Sequence, residues 1–320
     1  MRRFILALAA FLLGAVPVSA QDWPGKAVKI IVPFGPGSTP DLIVRMIADH
    51  LQRKHAGSAF VVENKAGAGG NIGTDAVAKA EPDGATIAIS ILGPLAINPL
   101  LLSNMPYDPG KDIALITMLT SQPSALAVHA SLNVKSVAEL VALLRREPGK
   151  YNYGSIGNGS LSHLAMEAVA LKSGTKLVHI PYSASPQAMT ALLRGDVQIA
   201  CLPAIAVTPH VASGNVTILA VTTNQRSRYL PNIPTLKEAG IDVEADAWNG
   251  LVGPAHIPDA VIAQIQREVA EALTSPEIRA KLAAQYMEPI PTNPAQFRAR
   301  IDADIARWSP VIKAANIRIN

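Results

Sequence analysis

The sequence predicts an α/β protein in which each domain is a mainly parallel sheet flanked by helices. Short β-branched runs alternate along the chain with longer segments whose apolar residues recur at helical spacing. Such alternation is typical of parallel sheets covered by helices on both faces. The 320 residues, of which 49% are hydrophobic and 16% charged, suffice for two domains with buried cores and exclude intrinsic disorder.

The alternating elements can be assigned in order along the chain. Each strand is a short run rich in Val, Ile, Phe or Tyr, and each helix shows an apolar stripe or a capping signal. The predicted strands are 29–34, 60–63, 86–90, 151–153 and 177–179. The predicted helices are 42–51, 136–146, 161–172, 261–273 and 297–308. Because parallel sheets bind ligands beyond the carboxyl ends of their strands, the loops that follow the strands are the candidate sites.

Residues 1–20 have the pattern of a cleaved export signal. Arg2 and Arg3 precede an apolar stretch over 4–16, and small residues end at Ala20, so cleavage is predicted after Ala20. An uncleaved anchor is the alternative, but the apolar stretch is short for a membrane span. No cysteine lies near the leader, so no lipid anchor is expected. The mature chain is therefore predicted to be free in the periplasm.

The composition argues against several classes of function. The net charge of +4 falls to +2 without the two leader arginines, and the remaining lysines and arginines are dispersed. Aromatic residues make up only 4%, too few for base-stacking platforms, so nucleic acid is not an expected partner. No apolar run reaches about 18 residues, which excludes a multi-span transporter. Cys201 is the only cysteine and is predicted to be a small buried core residue.

The loop after the first predicted strand, 33–41, combines glycines with small polar residues. Thr39 is a good helix N-cap, Pro40 suits the first helical position, and Asp41 favours the positive end of a helix. Taken alone, this pattern fits a plain helix start as well as it fits a binding site. As a site, Gly37 would let the backbone approach an anion, to which Ser38, Thr39 and the helix N–H groups would donate.

A second loop, 154–160, has the same character. Ser155, Asn158, Gly159 and Ser160 precede a predicted helix, with Ser160 as its N-cap. Neither loop contains Lys or Arg, so both would hold a carboxylate through neutral amide and hydroxyl donors. Two matched donor loops far apart in sequence favour one ligand gripped from two domains.

Motifs for catalysis or for a cofactor do not occur in the sequence. Segment 67–72 lacks the last glycine of the dinucleotide-binding pattern, and there is neither a phosphate-loop lysine motif nor a nucleophile elbow. The seven histidines show no metal-binding spacing. A nucleophilic pair of Ser160 and His163 is disfavoured, because a neighbour on the next helical turn is usually structural. The sequence therefore predicts no enzyme, no cofactor and no metal site.

Many short motifs follow one another in a fixed order over the whole mature chain. They are Trp23-Pro24, 31–34, 61–64, 67–73, 82–84, 107–109, 157–160 with His163-Leu164, 179–182, 234–240, Trp248 and 253–255. No single motif is decisive, but the set is highly specific. The chain resembles the substrate-binding proteins of tripartite tricarboxylate transporters, the TctC or Bug family.

The resemblance implies a two-domain periplasmic binding protein of the Venus flytrap type, with the ligand cleft between the domains. Domain 1 would comprise 21–122 and 248–320, and domain 2 would comprise 123–247. In the family, one ligand carboxylate is held between the loop after the first strand and the glycine/serine loop of the other domain. These loops map here to 34–41, which begins at Phe34, and to 155–160.

Further expectations follow from the same resemblance. Ser90 and Tyr182 are the next residues expected to line the cleft. The implied partners are a small carboxylate and the large and small integral membrane subunits of a permease, with the binding protein itself a monomer. A sensor that presents the carboxylate to a histidine kinase remains the alternative function.

Departures from the family pattern bear on the ligand. Leu202 stands where an acidic residue often follows the strand around Ile199 and where amino-acid-binding members could meet an ammonium. An ammonium group would lack a counter-charge at Leu202, so amino acids are disfavoured. With Phe34, Leu202 and Pro203 expected to face the carbon skeleton, the predicted ligand is a non-amino dicarboxylate. Terephthalate and adipate are the examples, and citrate is less favoured.

Overall fold

The computed structural model describes residues 23–318, so the predicted leader and its cleavage site lie outside the described residues. The elements in chain order are β1 (Ala27–Val32), α1 (Thr39–Lys54), β2 (Ala59–Asn64), α2 (Asn71–Ala78), β3 (Thr86–Ile91), α3 (Asn98–Leu101), β4 (Ile113–Gln122), β5 (Ser124–His129), α4 (Val137–Arg146), β6 (Asn152–Ser155), α5 (Leu161–Ser173), β7 (Val178–Pro181), α6 (Ser185–Arg194), β8 (Ile199–Pro203), α7 (Ala204–Val211), β9 (Val216–Val221), β10 (Ala247–Pro254), α8 (Asp259–Thr274), α9 (Pro276–Ala283), β11 (Glu288–Pro289) and α10 (Pro294–Ala314). Among these residues no helix combines the length and apolar character needed to cross a membrane.

The strands form two sheets. The first has the order β11-β4-β10-β3-β1-β2 and the second β7-β6-β8-β5-β9. Parallel pairs join β1 to β2 and β3, and β6 to β7 and β8. Antiparallel pairs join β10 to β3 and β4, and β5 to β8 and β9. The α/β class is confirmed, but the sheets are mixed rather than mainly parallel.

The antiparallel strands arise where the chain passes from one sheet to the other. It leaves the first sheet at Pro123, between β4 and β5, and returns through 222–246, between β9 and β10. At each crossing the chain enters the new sheet from the edge at which other strands of that sheet end. The entering strand therefore runs in the opposite direction, so β5 and β10 are antiparallel to their neighbours. The division into domains at 122/123 and 247/248 stays a prediction.

Helices cover both faces of each sheet. On the first sheet, Ile43 of α1 and Ile265 of α8 belong to one buried apolar cluster. On the second sheet, Met189 of α6 belongs to another cluster. A third cluster contains residues of both sheets and of α2, α4, α5 and α10. Cys201 lies in this third cluster at 1% exposure, and burial raises the pKa of its thiol to about 12. The prediction of a buried core cysteine is confirmed.

Candidate functional site

Both predicted donor loops lie where a parallel strand ends and a helix begins. The first connects β1 to α1 and the second connects β6 to α5. In each sheet the strand before the loop has parallel neighbours on both sides. The two loops therefore occupy the position at which α/β sheets present backbone N–H groups to ligands.

The first loop is held by the carboxylate of Asp41, which is only 1% exposed. Asp41 accepts hydrogen bonds from the N–H of Gly37 (2.8 Å), from Nε of Arg45 (2.9 Å) and from Nδ2 of Asn64 (2.8 Å). Burial alone would raise the pKa of Asp41, but these hydrogen bonds together with the charge of Arg45 hold it below its usual value. Asp41, a predicted ligand residue, thus supports the loop from within.

The helix after the first loop begins at Thr39, one residue before the start that the predicted capping residue implied and three before the predicted apolar stripe of 42–51. Ser38, whose backbone is extended (φ −68°, ψ 158°), is the N-cap of α1, so the assignment of Thr39 as N-cap and Pro40 as first helical residue is wrong. Proline is equally tolerated at the second helical position, because N–H groups in the first turn have no partner within the helix. Within residues 23–318 the buried Ser38 hydroxyl and the N–H groups of Thr39 and Asp41 have no hydrogen-bond partner.

Phe34 is the first residue of this loop and is held in place by two contacts. Its carbonyl accepts a hydrogen bond from Nδ2 of Asn64 (3.0 Å). Its ring lies against Gly70, where an added Cβ would come within 2.9 Å of the ring and 2.8 Å of Pro94. Gly70 also has a positive φ of 94°, so both its backbone and its space require glycine. Segment 67–72 lacks the dinucleotide-binding pattern, and its role here is to pack Gly70 against the ring of Phe34.

The second loop turns through two glycines with positive φ, Gly157 at 116° and Gly159 at 71°. Ser160 is the N-cap of α5, as predicted, and its hydroxyl accepts from the N–H of His163 (3.4 Å). The same hydroxyl donates to the carbonyl of Gly157 (2.6 Å). Asn158 is exposed, and its N–H, like that of Leu161, has no acceptor in the described part of the chain. These N–H groups are free to bind an anion.

Ser155 is fully buried and supports the second loop from within, as Asp41 supports the first. Its Oγ accepts from the N–H of Gly157 (3.1 Å) and lies 2.6 Å from Nε2 of His179. The ring of His163 stacks on that of His179, and Nδ1 of His163 accepts from the N–H of Gly159 (3.1 Å). The sequence indicated neither histidine in this role, since it offered His163 only as a disfavoured base for Ser160.

Three other predicted site residues are arranged around the second sheet. Tyr182 donates its backbone N–H to the carbonyl of Ser155 (3.0 Å), and the residue lines a cavity of about 340 Å³ beside α6. Pro203 is half-buried and precedes the first residue of α7. Leu202 is 0% exposed within the apolar core of that sheet, so the expectation that it faces the ligand is corrected. Side chains on a strand alternate between faces, and that of Leu202 points into the core covered by α6 and α7.

Three buried polar atoms lie near the carboxyl end of β3 and the two chain crossings. They are Oγ of Ser90, Oε1 of Gln122 and Oδ1 of Asn249, and none has a partner within residues 23–318. Buried polar atoms without partners are rare in proteins, which makes these three candidates for ligand contact. Ser90 was predicted, whereas Gln122 and Asn249 were missed because the sequence did not show which strands carry the crossings.

The chemistry of the site is that of a binder of anions through neutral donors. Arg45, the cation nearest the first loop in the chain, is hydrogen-bonded to Asp41 and Asn64. The Ser160 hydroxyl donates to a backbone carbonyl rather than to a histidine. Among residues 23–318 no group of three His, Cys, Asp or Glu side chains is arranged to hold a metal ion. Hydroxyl and amide donors around two helix N-termini suit a carboxylate.

Known proteins match this chain over almost its whole length. A family model for the tripartite tricarboxylate transporter family receptor matches residues 43–317. Protein BugT of Bordetella pertussis is 34% identical over 307 residues, covering 95% of this chain and 94% of BugT. The structure of Rpa4515 of R. palustris with adipate has a TM-score of 0.80 at 34% identity, covering 93% of this chain and 99% of that chain.

A second solved structure extends the comparison. MatC from Rhodopseudomonas palustris, with bound malate, has a TM-score of 0.75 at 26% identity and covers 91% of this chain and 100% of that chain. The α/β architecture with two sheets is that of periplasmic binding proteins. The chain therefore belongs to the tripartite tricarboxylate transporter receptor family of the TctC or Bug type, whose members are periplasmic solute-binding receptors and not enzymes.

Proposed function

We propose that this protein captures a small non-amino dicarboxylate in the periplasm and delivers it to the large and small membrane subunits of a tripartite tricarboxylate transporter. The observation that carries the proposal is the pair of donor loops, 34–41 and 155–160, each ending at a helix N-terminus with N–H groups that find no acceptor among residues 23–318. Relatives of known structure hold adipate and malate. The mature chain would begin at Gln21 and act as a monomer.

The preference for acids without an amino group rests on the charges of the loops. Asp41 is the only acidic residue in either loop, and its carboxylate is already occupied by three donors. An ammonium group would therefore find no free counter-charge there. This argument replaces the one based on Leu202, which is buried in the core.

The body of the ligand would contact Phe34, which suits an aliphatic chain such as that of adipate or the ring of terephthalate. Within the described part of the chain, the buried amide oxygens of Gln122 and Asn249 lack donors, and a ligand hydroxyl could supply one. Hydroxy acids such as malate therefore remain in the ligand class beside adipate and terephthalate.

Capture would proceed by closure of one lobe onto the other. The acid binds at one loop, and the second loop then adds its own donors and excludes water. A micromolar affinity requires about −8 kcal/mol. Several charge-assisted hydrogen bonds of roughly 1.5–3 kcal/mol each reach this value after the cost of ordering. Closure also has to create the surface that the permease recognises, because a ligand shifts a conformational equilibrium only through differential contacts.

Calorimetric titration of the mature chain with adipate, terephthalate, malate, citrate and aspartate tests the proposal. We expect binding of at least one of the first three acids and the weakest binding for aspartate. If no acid binds, or if aspartate binds clearly more tightly than the others, the proposed ligand class is refuted. Uptake of the labelled acid by cells that lack the gene separates transport from sensing, since a sensor's loss would leave uptake by an expressed permease intact.

A further inference from the structure

Four side chains form a packed cluster directly behind the second loop: Tyr153, His163, Glu167 and His179. We call it the histidine cluster. The rings of His163 and His179 stack with their centroids 3.9 Å apart at an angle of 12°, and His179 also stacks on Tyr153 at 4.9 Å. The hydroxyl of Tyr153 donates to Glu167 (2.5 Å). Strands β6 and β7 and helix α5 are thereby joined beneath the loop.

Each histidine is also hydrogen-bonded to the loop. The N–H of Gly159 donates to Nδ1 of His163 (3.1 Å). Nε2 of His179 lies 2.6 Å from Oγ of Ser155, which accepts from the N–H of Gly157 (3.1 Å). Because a backbone N–H can only donate, Nδ1 of His163 must present a lone pair and cannot carry a proton. The bond from Gly159 therefore exists only while the His163 ring is neutral.

The surroundings of His163 keep its ring neutral. Burial, together with the neighbouring His179, lowers the pKa of His163 to about 4. Burial also lowers the pKa of His179. The titratable groups that face His163 are Tyr153 from β6, His179 from β7 and Glu167 from its own helix, with Oε1 of Glu167 4.0 Å from Nε2. Glu167 would favour a charged ring, but at 4.0 Å its Oε1 is too far from Nε2 for a hydrogen bond and instead accepts the Tyr153 hydroxyl.

We propose that His163 is a positioning residue for ligand capture, whose neutral Nδ1 holds the Gly159 N–H and so fixes the turn 157–160 in the form that receives a carboxylate. The turn needs such a tether because the two glycines that give it its shape are free to leave the left-handed region. With the Gly159 N–H taken, the N–H groups of Asn158 and Leu161 remain for the acid. This inference rests on the proposed function.

Two substitutions distinguish the hydrogen bond between His163 and the Gly159 N–H from a role of His163 in packing alone. In His163→Asn the side-chain oxygen stands close to the place of Nδ1 and can accept the Gly159 N–H, whereas His163→Leu fills similar space without an acceptor. Titrated with adipate and malate at pH 7, the Asn variant should stay within about threefold of the native affinity and the Leu variant should lose about tenfold, as expected for one lost hydrogen bond with an unsatisfied donor. His210→Leu, in helix α7 beside the same sheet, is the control, and this variant should bind both acids with native affinity.

Nitrogen-15 NMR tests the tether without any ligand. Nδ1 of His163 should be unprotonated at pH 7, and the Gly159 amide should exchange slowly in the native protein and the Asn variant but rapidly in the Leu variant. As the pH is lowered towards 4, the native affinity should fall relative to that of the Asn variant, because only the native ring takes up a proton.

Three results would overturn the inference: a protonated Nδ1 at neutral pH, unchanged affinity in the Leu variant, or equal loss of affinity in the Asn and Leu variants. If the Leu variant does not fold, the protonation state of native His163 still decides. If the native protein binds only terephthalate, the same comparison is made with that acid. If it binds none of the three acids, the proposed ligand class fails, and the NMR measurements continue to report on the tether independently.

Discussion

Replacing Asp41 with asparagine tests whether the first loop is built around a buried charge. The carboxylate receives three donors, from Gly37, Arg45 and Asn64, at 2.8–2.9 Å. An asparagine side chain has one oxygen, and its NH₂ group would face donors that need an acceptor. The substitution therefore removes one or two of the three hydrogen bonds and leaves at least one donor unsatisfied.

The cost follows from the nature of these bonds. Hydrogen bonds to a charged group contribute about 1.5–3 kcal/mol each. The bond from Arg45 counts for less, because the Arg45 side chain is 47% exposed and its pair with Asp41 is screened by solvent. We therefore expect Asp41→Asn to lower the free energy of unfolding by about 2–3 kcal/mol. Affinity for the acid should fall as well, since Gly37 loses the acceptor that orders the loop.

Urea denaturation measures the first effect and calorimetry the second. Asp49→Asn, at an exposed position of the same helix, is the control and should change stability by less than about 0.5 kcal/mol. Because the folded-state pKa of Asp41 is lowered, its stabilisation is complete above the ordinary value of 3.8 and is lost as the pH falls through the folded-state value. The asparagine variant should lack this part of the acid dependence. A loss of stability below about 0.5 kcal/mol, with the loop unchanged, would refute the reasoning.

Two further predictions concern the second loop. Ser160→Ala should cost about 1 kcal/mol of stability through the lost cap and weaken acid binding several-fold, whereas Ser136→Ala removes the equivalent cap of α4 and should leave binding unchanged. Equal affinities in the two variants would show that the second loop is not part of the binding site. Gly157→Ala should destabilise by about 1–3 kcal/mol, because alanine strains at a φ of 116°. Gly57→Ala, with open space around it and no positive φ, should be close to neutral, and similar losses at both glycines would contradict this explanation.

The helices and strands could be predicted where residues close in sequence determine where they begin and end. The capping signal at Ser136 and the glycine/serine run before Leu161 gave two helix starts that the structure confirms. The first strand ends at Val32, two residues before the predicted end. The apolar stripe predicted a last helix of 297–308, but the helix spans Pro294–Ala314. Its earlier start follows from the capping box that Asn293 and Gln296 form ahead of the stripe.

The donor loops could be predicted because glycines and hydroxyls follow strands directly in the sequence. The residues that hold the loops could not, because they come from neighbouring strands. Asn64 reaches the first loop since it stands opposite Val32 in the pairing of β1 with β2. His179 reaches the second loop since it stands opposite Tyr153 in the pairing of β6 with β7. Strand order and register had to be known first, and composition and spacing do not determine them.

The two loops share one construction and differ in charge, and this difference leads to a final prediction. In each loop a glycine N–H is taken by the side chain four residues later, that of Gly37 by Asp41 and that of Gly159 by His163. His163 is neutral, but Asp41 would repel an approaching carboxylate if Arg45 did not offset its charge at 2.9 Å.

Arg45→Gln should therefore weaken acid binding, measured by calorimetry, with a deficit that grows as salt is reduced. Arg53→Gln, further along the same helix and paired with Glu277, should leave affinity unchanged. Equal affinities for the two variants at low salt would mean that the acid does not approach the first loop, and that the second loop holds it without help from the first.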